Sequence, residues 1–112
     1  MPYYEENKMA ELRRYIEDEL LLWQHVEEKK MFGCPSFKAK EKLFAIIITD
    51  GIVITKLNDE ERNELSKKFN AVPFKANNRR ISKWAQLSYK STNDLKKYLP
   101  YIKKSYKNAL QS

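Results

Sequence analysis

One cysteine, one histidine and two glycines among 112 residues remove whole classes of function before any element is placed. A lone Cys34 closes no intrachain disulfide, so the framework that stabilises small secreted domains is missing. Nucleophilic catalysis and metal binding both need convergent groups, and His25 with Cys34 supplies neither a CxxC nor an HxxxH spacing. His25 reads as a partly exposed helix residue and Cys34 as a small apolar strand residue with an inert thiol. No glycine-rich loop precedes a helix to cradle phosphate. The expectation is a protein that is not an enzyme, with no catalytic residue, cofactor, metal or small-molecule substrate. Long apolar runs are also lacking, since "LLLW" and "LFAIII" fall far below a membrane-spanning length. The opening "MPYYEENKMAEL" has no basic section followed by an apolar one, so a cytoplasmic location is expected.

Acid is nearly missing from the second half of the chain. Residues 1–64 hold 10 Lys or Arg against 14 Asp or Glu, whereas residues 65–112 hold 12 against Asp94 alone, so the halves carry −4 and +11 within a net +7. Such asymmetry steers a polyanion to one face, or simply keeps a domain soluble. What is present in quantity is apolar and aromatic material, 42% and 12% of the chain, enough for the core of one domain over residues 1–112.

Periodicity places the elements. Met9, Leu12, Ile16, Leu20, Trp23 and Val26 recur at steps of three and four, which predicts one long amphipathic helix ended by Gly33 and Pro35. A strand is expected over residues 31–38 and a turn over 39–42. "LFAIIIT" and "GIVITKL" then meet at Asp50-Gly51, residues that tolerate the positive φ of a tight hairpin. Asn58 with Glu61 three residues on is a capping box for a short helix whose last turn carries Lys67 and Lys68. Residues 71–75 suit an edge strand because Pro73 cannot donate to a ladder, and "NNRR" is a turn before the strand-like "ISKWAQLSY". Ser91 and Asp94 open a last helix whose stripe is Leu95, Leu99, Ile102, Tyr106 and Leu110, kinked at Pro100. The fold class that follows is α+β. It is a single two-layer domain with an antiparallel meander sheet of about five strands and N-terminal, middle and C-terminal helices.

Met31-Phe32-Gly33, Phe37, the "KLFA" of residues 42–45, the Asp50-Gly51 turn, Leu57 before an acidic helix start, Pro73-Phe74 and the closing amphipathic helix together resemble the TfoX N-terminal domain family of competence-gene regulators. The pattern covers residues 30–110. The resemblance implies an α+β sandwich of the secretion-chaperone-like kind, with a curved antiparallel sheet and helices on one face. Cys34 stands where a second glycine is expected, and Glu41 where the hairpin commonly has glycine. The full regulator carries a further C-terminal domain that 112 residues do not hold.

Two functional expectations follow. Ile46, Ile47 and Ile48 are consecutive and point to both faces of the sheet, and with Ile52 and Ile54 they offer more apolar positions than one face can use. The preferred expectation is therefore a regulatory binding domain that meets a protein partner, or a second copy of itself as a weak homodimer, through these five isoleucines. The alternative is a small nucleic-acid-binding module in transcription or competence regulation. On the last helix Lys96, Lys103 and Lys107 fall within about 40° of one another, and Lys97 and Lys104 widen that face. Arg79, Arg80 and Lys83 would join them, beside a Trp84 able to stack on a base or to plug the core.

Overall fold

The computed structural model describes residues 3–112 as three helices and a six-stranded antiparallel sheet. In chain order these are α1 (Glu6–Leu20), β1 (Val26–Met31), β2 (Cys34–Ala39), β3 (Lys42–Ile48), β4 (Gly51–Ile54), α2 (Asp59–Phe69), β5 (Val72–Ala76), β6 (Arg79–Ser88) and α3 (Thr92–Gln111). The strand order is β1-β2-β3-β4-β6-β5, so the first four strands form a meander and the last hairpin joins it through β6.

The sheet has one strand more than expected because the first helix stops at Leu20. Val26-Glu-Glu-Lys-Lys-Met31 instead pairs with β2 from Val26↔Ala39 to Met31↔Cys34. His25, at φ 68, turns the chain into that strand and lies in the loop rather than on a helix. Met31-Phe32-Gly33 therefore closes the first hairpin, with Phe32 and Gly33 both at positive φ, and does not open a strand. The pairs Lys40-Glu41 and Asn77-Asn78 turn the same way. At Asp50-Gly51 the geometry differs from expectation, since only Asp50 has positive φ and Gly51 already belongs to β4. Its lack of a side chain matters there for space: a Cβ would sit 2.9 Å from Ile48 Cγ1 and 3.0 Å from the Leu87 carbonyl oxygen.

The expected capping box on α2 is present, with the Asn58 side chain accepting from Glu61 N–H and the Glu61 carboxylate accepting from Asn58 N–H. At α3 the Ser91 side chain makes no capping bond, and the Asp94 carboxylate instead reaches back to Lys90 N–H at 3.0 Å. α3 runs through Pro100 as one helix and buries Leu95, Tyr98, Tyr101, Ile102, Ser105, Tyr106 and Ala109.

All three helices lie against one face of the sheet, whose core includes Phe37, Phe44, Ile47, Ile52, Ile54, Leu87 and Tyr89. Tyrosine hydroxyls tie this layer together: Tyr89 donates to the Leu12 carbonyl, Tyr98 to Ser88 and Tyr106 to Gln24, at 3.0, 2.7 and 2.8 Å. The opposite face carries a second core of Cys34, Ile46, Ile48, Val53, Phe74 and Ala76. Its cover comes from the sheet's own margins. Between the pairs Pro73↔Ala85 and Phe74↔Ile81 the register of the last hairpin shifts, which leaves Ser82, Lys83 and Trp84 without partners on β5 and bends the hairpin. Its distal half then lies over the second face, where Phe74, Ile81 and Trp84 pack. Tyr3 locks it there. The ring lies 6.1 Å from Phe32 and 5.8 Å from Phe74, its hydroxyl accepts from Asn77 N–H at 2.9 Å, and its carbonyl accepts from Thr49 N–H.

This geometry corrects the expectation about the isoleucines. Ile47, Ile52 and Ile54 belong to the helix-side core, Ile46 and Ile48 to the second core, and all five are buried within one chain. Contact with another chain through them is withdrawn, because the bent hairpin and the N-terminal segment already cover the face they were expected to expose.

Candidate functional site

The candidate site is assembled by the early end of α1. Residues 21–25 form a loop between Leu20 and β1, and in it Leu21 is 43% and Leu22 81% exposed, unlike the buried Leu20 before them. Trp23 turns the other way and lies on Phe44 and Tyr106, with ring centroids 6.2 and 5.0 Å apart. The hydroxyl bond from Tyr106 to the Gln24 carbonyl holds the loop against α3. A groove of about 400 Å³ remains between the loop and α3, lined by Glu19, Trp23, Lys96, Leu99, Pro100 and Lys103. Its floor is apolar and its α3 wall is cationic. The Lys103 ammonium rests over Trp23, 4.2 Å from the ring centroid, and 5.2 Å from that of Tyr106.

The basic residues named from the sequence fall into two groups. Lys96, Lys103, Lys104 and Lys107 are on α3, which packs on the helix-side face. Arg79, Arg80 and Lys83 are on β6 in the hairpin that ends the sheet, whereas α3 packs over β2, β3 and β4, so the two groups sit on separate elements. None of the seven makes an ion pair among the described residues. Lys104 lies 5.2 Å from the Tyr101 ring centroid and so, like Lys103, already faces an aromatic ring. Trp84 stacks on Phe74 at 6.1 Å as part of the second core, which takes it from the role of a base platform. An open hollow of about 420 Å³ at the β5 edge is lined by Val72, Pro73, Lys75, Arg80 and Gln86, and only Val72 gives it an exposed large apolar side chain.

Other polar groups are engaged in structure. Arg13 links Glu6, Glu17 and Glu28 at 2.6, 3.0 and 3.0 Å and so ties α1 to the edge strand β1. Burial pushes the Cys34 thiol up to about 11, which leaves it protonated and unreactive near neutral pH. Among the described residues no three His, Cys, Asp or Glu side chains gather in a way that could hold a metal ion. No helix among them is long and apolar enough to cross a membrane.

The groove was hidden in the sequence because Trp23 fits the helical period of Met9 to Val26. The available signal was "LLLW" itself, four large apolar residues in a row where one face of an amphipathic helix accommodates only two.

An antiparallel sheet with three helices on one face defines a small α+β domain, which here presents an apolar loop and a cationic groove. The TfoX N-terminal domain profile matches residues 18–109, and the chain belongs to that family. No curated protein matches the sequence.

Proposed function

We propose that the chain is a non-enzymatic regulatory domain of the cytoplasm that works by docking a protein partner on the Leu21–Leu22 loop and the groove beside it. Regulation is what the competence-regulator family suggests. The observation that carries docking is Leu22, 81% exposed and followed by a groove with a Trp23, Leu99 and Pro100 floor, on a chain one third charged. The test is capture from native lysate after nuclease treatment, with the parent chain and with Leu22→Asp as bait. The substitution is at an exposed loop position and is expected to leave the unfolding transition unchanged. Proteins retained by the parent and lost by the variant support the reading, and identical sets from both baits remove it.

A second reading, binding of nucleic acid, is favoured by the seven cations that lack ion pairs among the described residues and by the net charge of +7. Its weakness is their division between α3, which packs over β2, β3 and β4, and the hairpin at the end of the sheet. Binding of this kind falls steeply as salt rises, and replacing Arg79, Arg80, Lys103 and Lys104 by glutamine weakens it without unfolding the domain. Undiminished binding by that variant, or in high salt, removes the second reading.

A further inference from the structure

We propose that the groove between α1 and α3 takes an acidic amphipathic segment of a partner protein, with an apolar side chain on Trp23 and Leu99 and carboxylates on Lys96 and Lys103. The inference rests on the docking reading above and names the chemistry of the occupant. The argument begins with charge. Lys96 and Lys103 have no ion-pair partner among the described residues, and Asp94, the sole acidic residue of α3, already faces Lys97 and caps the helix through Lys90 N–H. Cations on the rim of an apolar groove favour an anionic partner and disfavour a cationic one. The chain's own +7 repels a second copy and attracts an acidic protein.

Lys103 supplies the second step. Its ammonium covers the Trp23 ring at 4.2 Å, a weak contact at an exposed site. A carboxylate brought in by a segment that excludes water is the stronger counter-ion, because its charge-assisted hydrogen bond then forms at low dielectric. Lys103 then swings from the ring to the carboxylate and uncovers the indole face for the apolar anchor. Glu19 on the opposite wall repels carboxylates there and directs them to the α3 side, which fixes the direction in which the segment lies.

The experiment titrates the full chain with a blocked synthetic peptide bearing leucine and phenylalanine on one helical face and glutamate on the other. Its twin has lysine in place of every glutamate. Calorimetry measures affinity, and indole fluorescence of the Trp84→Phe chain follows the environment of Trp23. The expected result is saturable binding of the acidic peptide with a fluorescence change, no binding of the twin, and about tenfold weaker binding by Lys96→Gln/Lys103→Gln. That double variant changes only lysines at the surface, so its unfolding transition checks that the fold is intact. Equal binding of both peptides, no binding of the acidic one, or parental affinity in the double variant each overturns the inference. So does self-association abolished by Leu22→Asp, or single-stranded DNA bound in the groove through Lys103, since either assigns the surface to another occupant. If the acidic peptide fails while lysate capture still depends on Leu22, the docking reading stands and this inference falls. If capture also ignores Leu22→Asp, both fall.

Discussion

The two faces of the sheet are lined by the same isoleucine-rich strands and are closed by different means. On one face three helices bring Ile16, Leu65, Leu95, Ile102 and Tyr106 down on Phe44, Ile47, Ile52 and Ile54. On the other the sheet covers itself, through a hairpin bent at the Pro73/Phe74 register shift and through the N-terminal Tyr3 and Tyr4, of which Tyr3 reaches both margins. Neighbouring residues of one strand thus belong to cores of different construction. A helix layer is held by many side chains along its length, whereas a bent hairpin can settle inward when a neighbour shrinks. Burial alone therefore does not measure how firmly a position is held.

Ile47→Ala and Ile46→Ala test that difference with one chemistry on adjacent residues. Both side chains are fully buried, Ile47 under the helices and Ile46 under the hairpin. Ile47→Ala is expected to cost about 4 kcal/mol and Ile46→Ala about 2.5 kcal/mol, because the cost depends on how far the surroundings collapse into the cavity. Urea unfolding of the two variants checks the order. Equal losses would show that the hairpin is as rigid a cover as the helices.

A polar peg sharpens the comparison on the helix side. Ser105 of α3 is fully buried, donates to the Phe44 carbonyl at 2.8 Å and accepts from Lys56 N–H at 3.0 Å. It joins α3 both to β3 and to the segment after β4. Ser105→Ala leaves the Lys56 N–H without an acceptor and is expected to cost about 2 kcal/mol. A change below half of that would mean that water or a shifted carbonyl takes the place of the hydroxyl.

The helix layer was far more legible in the sequence than the self-covering face. Asn58 and Glu61 declared α2 because a capping box is local chemistry, and the period of Leu95, Ile102 and Tyr106 declared α3. The first strand was hidden because Val-Glu-Glu-Lys-Lys-Met is rich in helix formers, and pairing with β2 overrides that propensity. The surplus of isoleucines points to both faces of the sheet, and the expectation that another chain covers the second face is the part that fails. What supplies the cover depends on a register shift and on Tyr3 meeting residues 29 and 71 positions away, and no local pattern encodes either. The seven basic residues were visible as charge, yet the placing of α3 over β2, β3 and β4 and of the last hairpin at the end of the sheet follows from topology alone. Lys96 and Lys103 were named in the sequence, while their neighbours Glu19, Trp23, Leu99 and Pro100 came together only through packing.

The smallest expected effect separates the faces by pH. Glu28 lies on the edge strand under α1, and burial first, then a hydrogen bond and charge from Glu17, push its carboxyl from 4.5 up to about 7, against the opposing pull of Arg13. Between these values the folded chain holds a proton that the unfolded chain has released. Stability therefore declines as pH rises from about 4.5 to 7 and is level beyond, with the full contribution present only below the lower value. Glu28→Gln keeps a hydrogen-bonding group without the charge, so it is expected to flatten this decline and to be about 1 kcal/mol more stable than the parent at pH 8, after discounting for the carboxyl's contact with solvent. The second core holds no carboxylate, and the Cys34 thiol titrates only near 11. The decline between about pH 4.5 and 7 thus belongs to the helix side, and Ile46→Ala should show it in full while Glu28→Gln does not. Parallel stability profiles for Glu28→Gln and the parent across that range would place the proton elsewhere and remove this distinction between the faces.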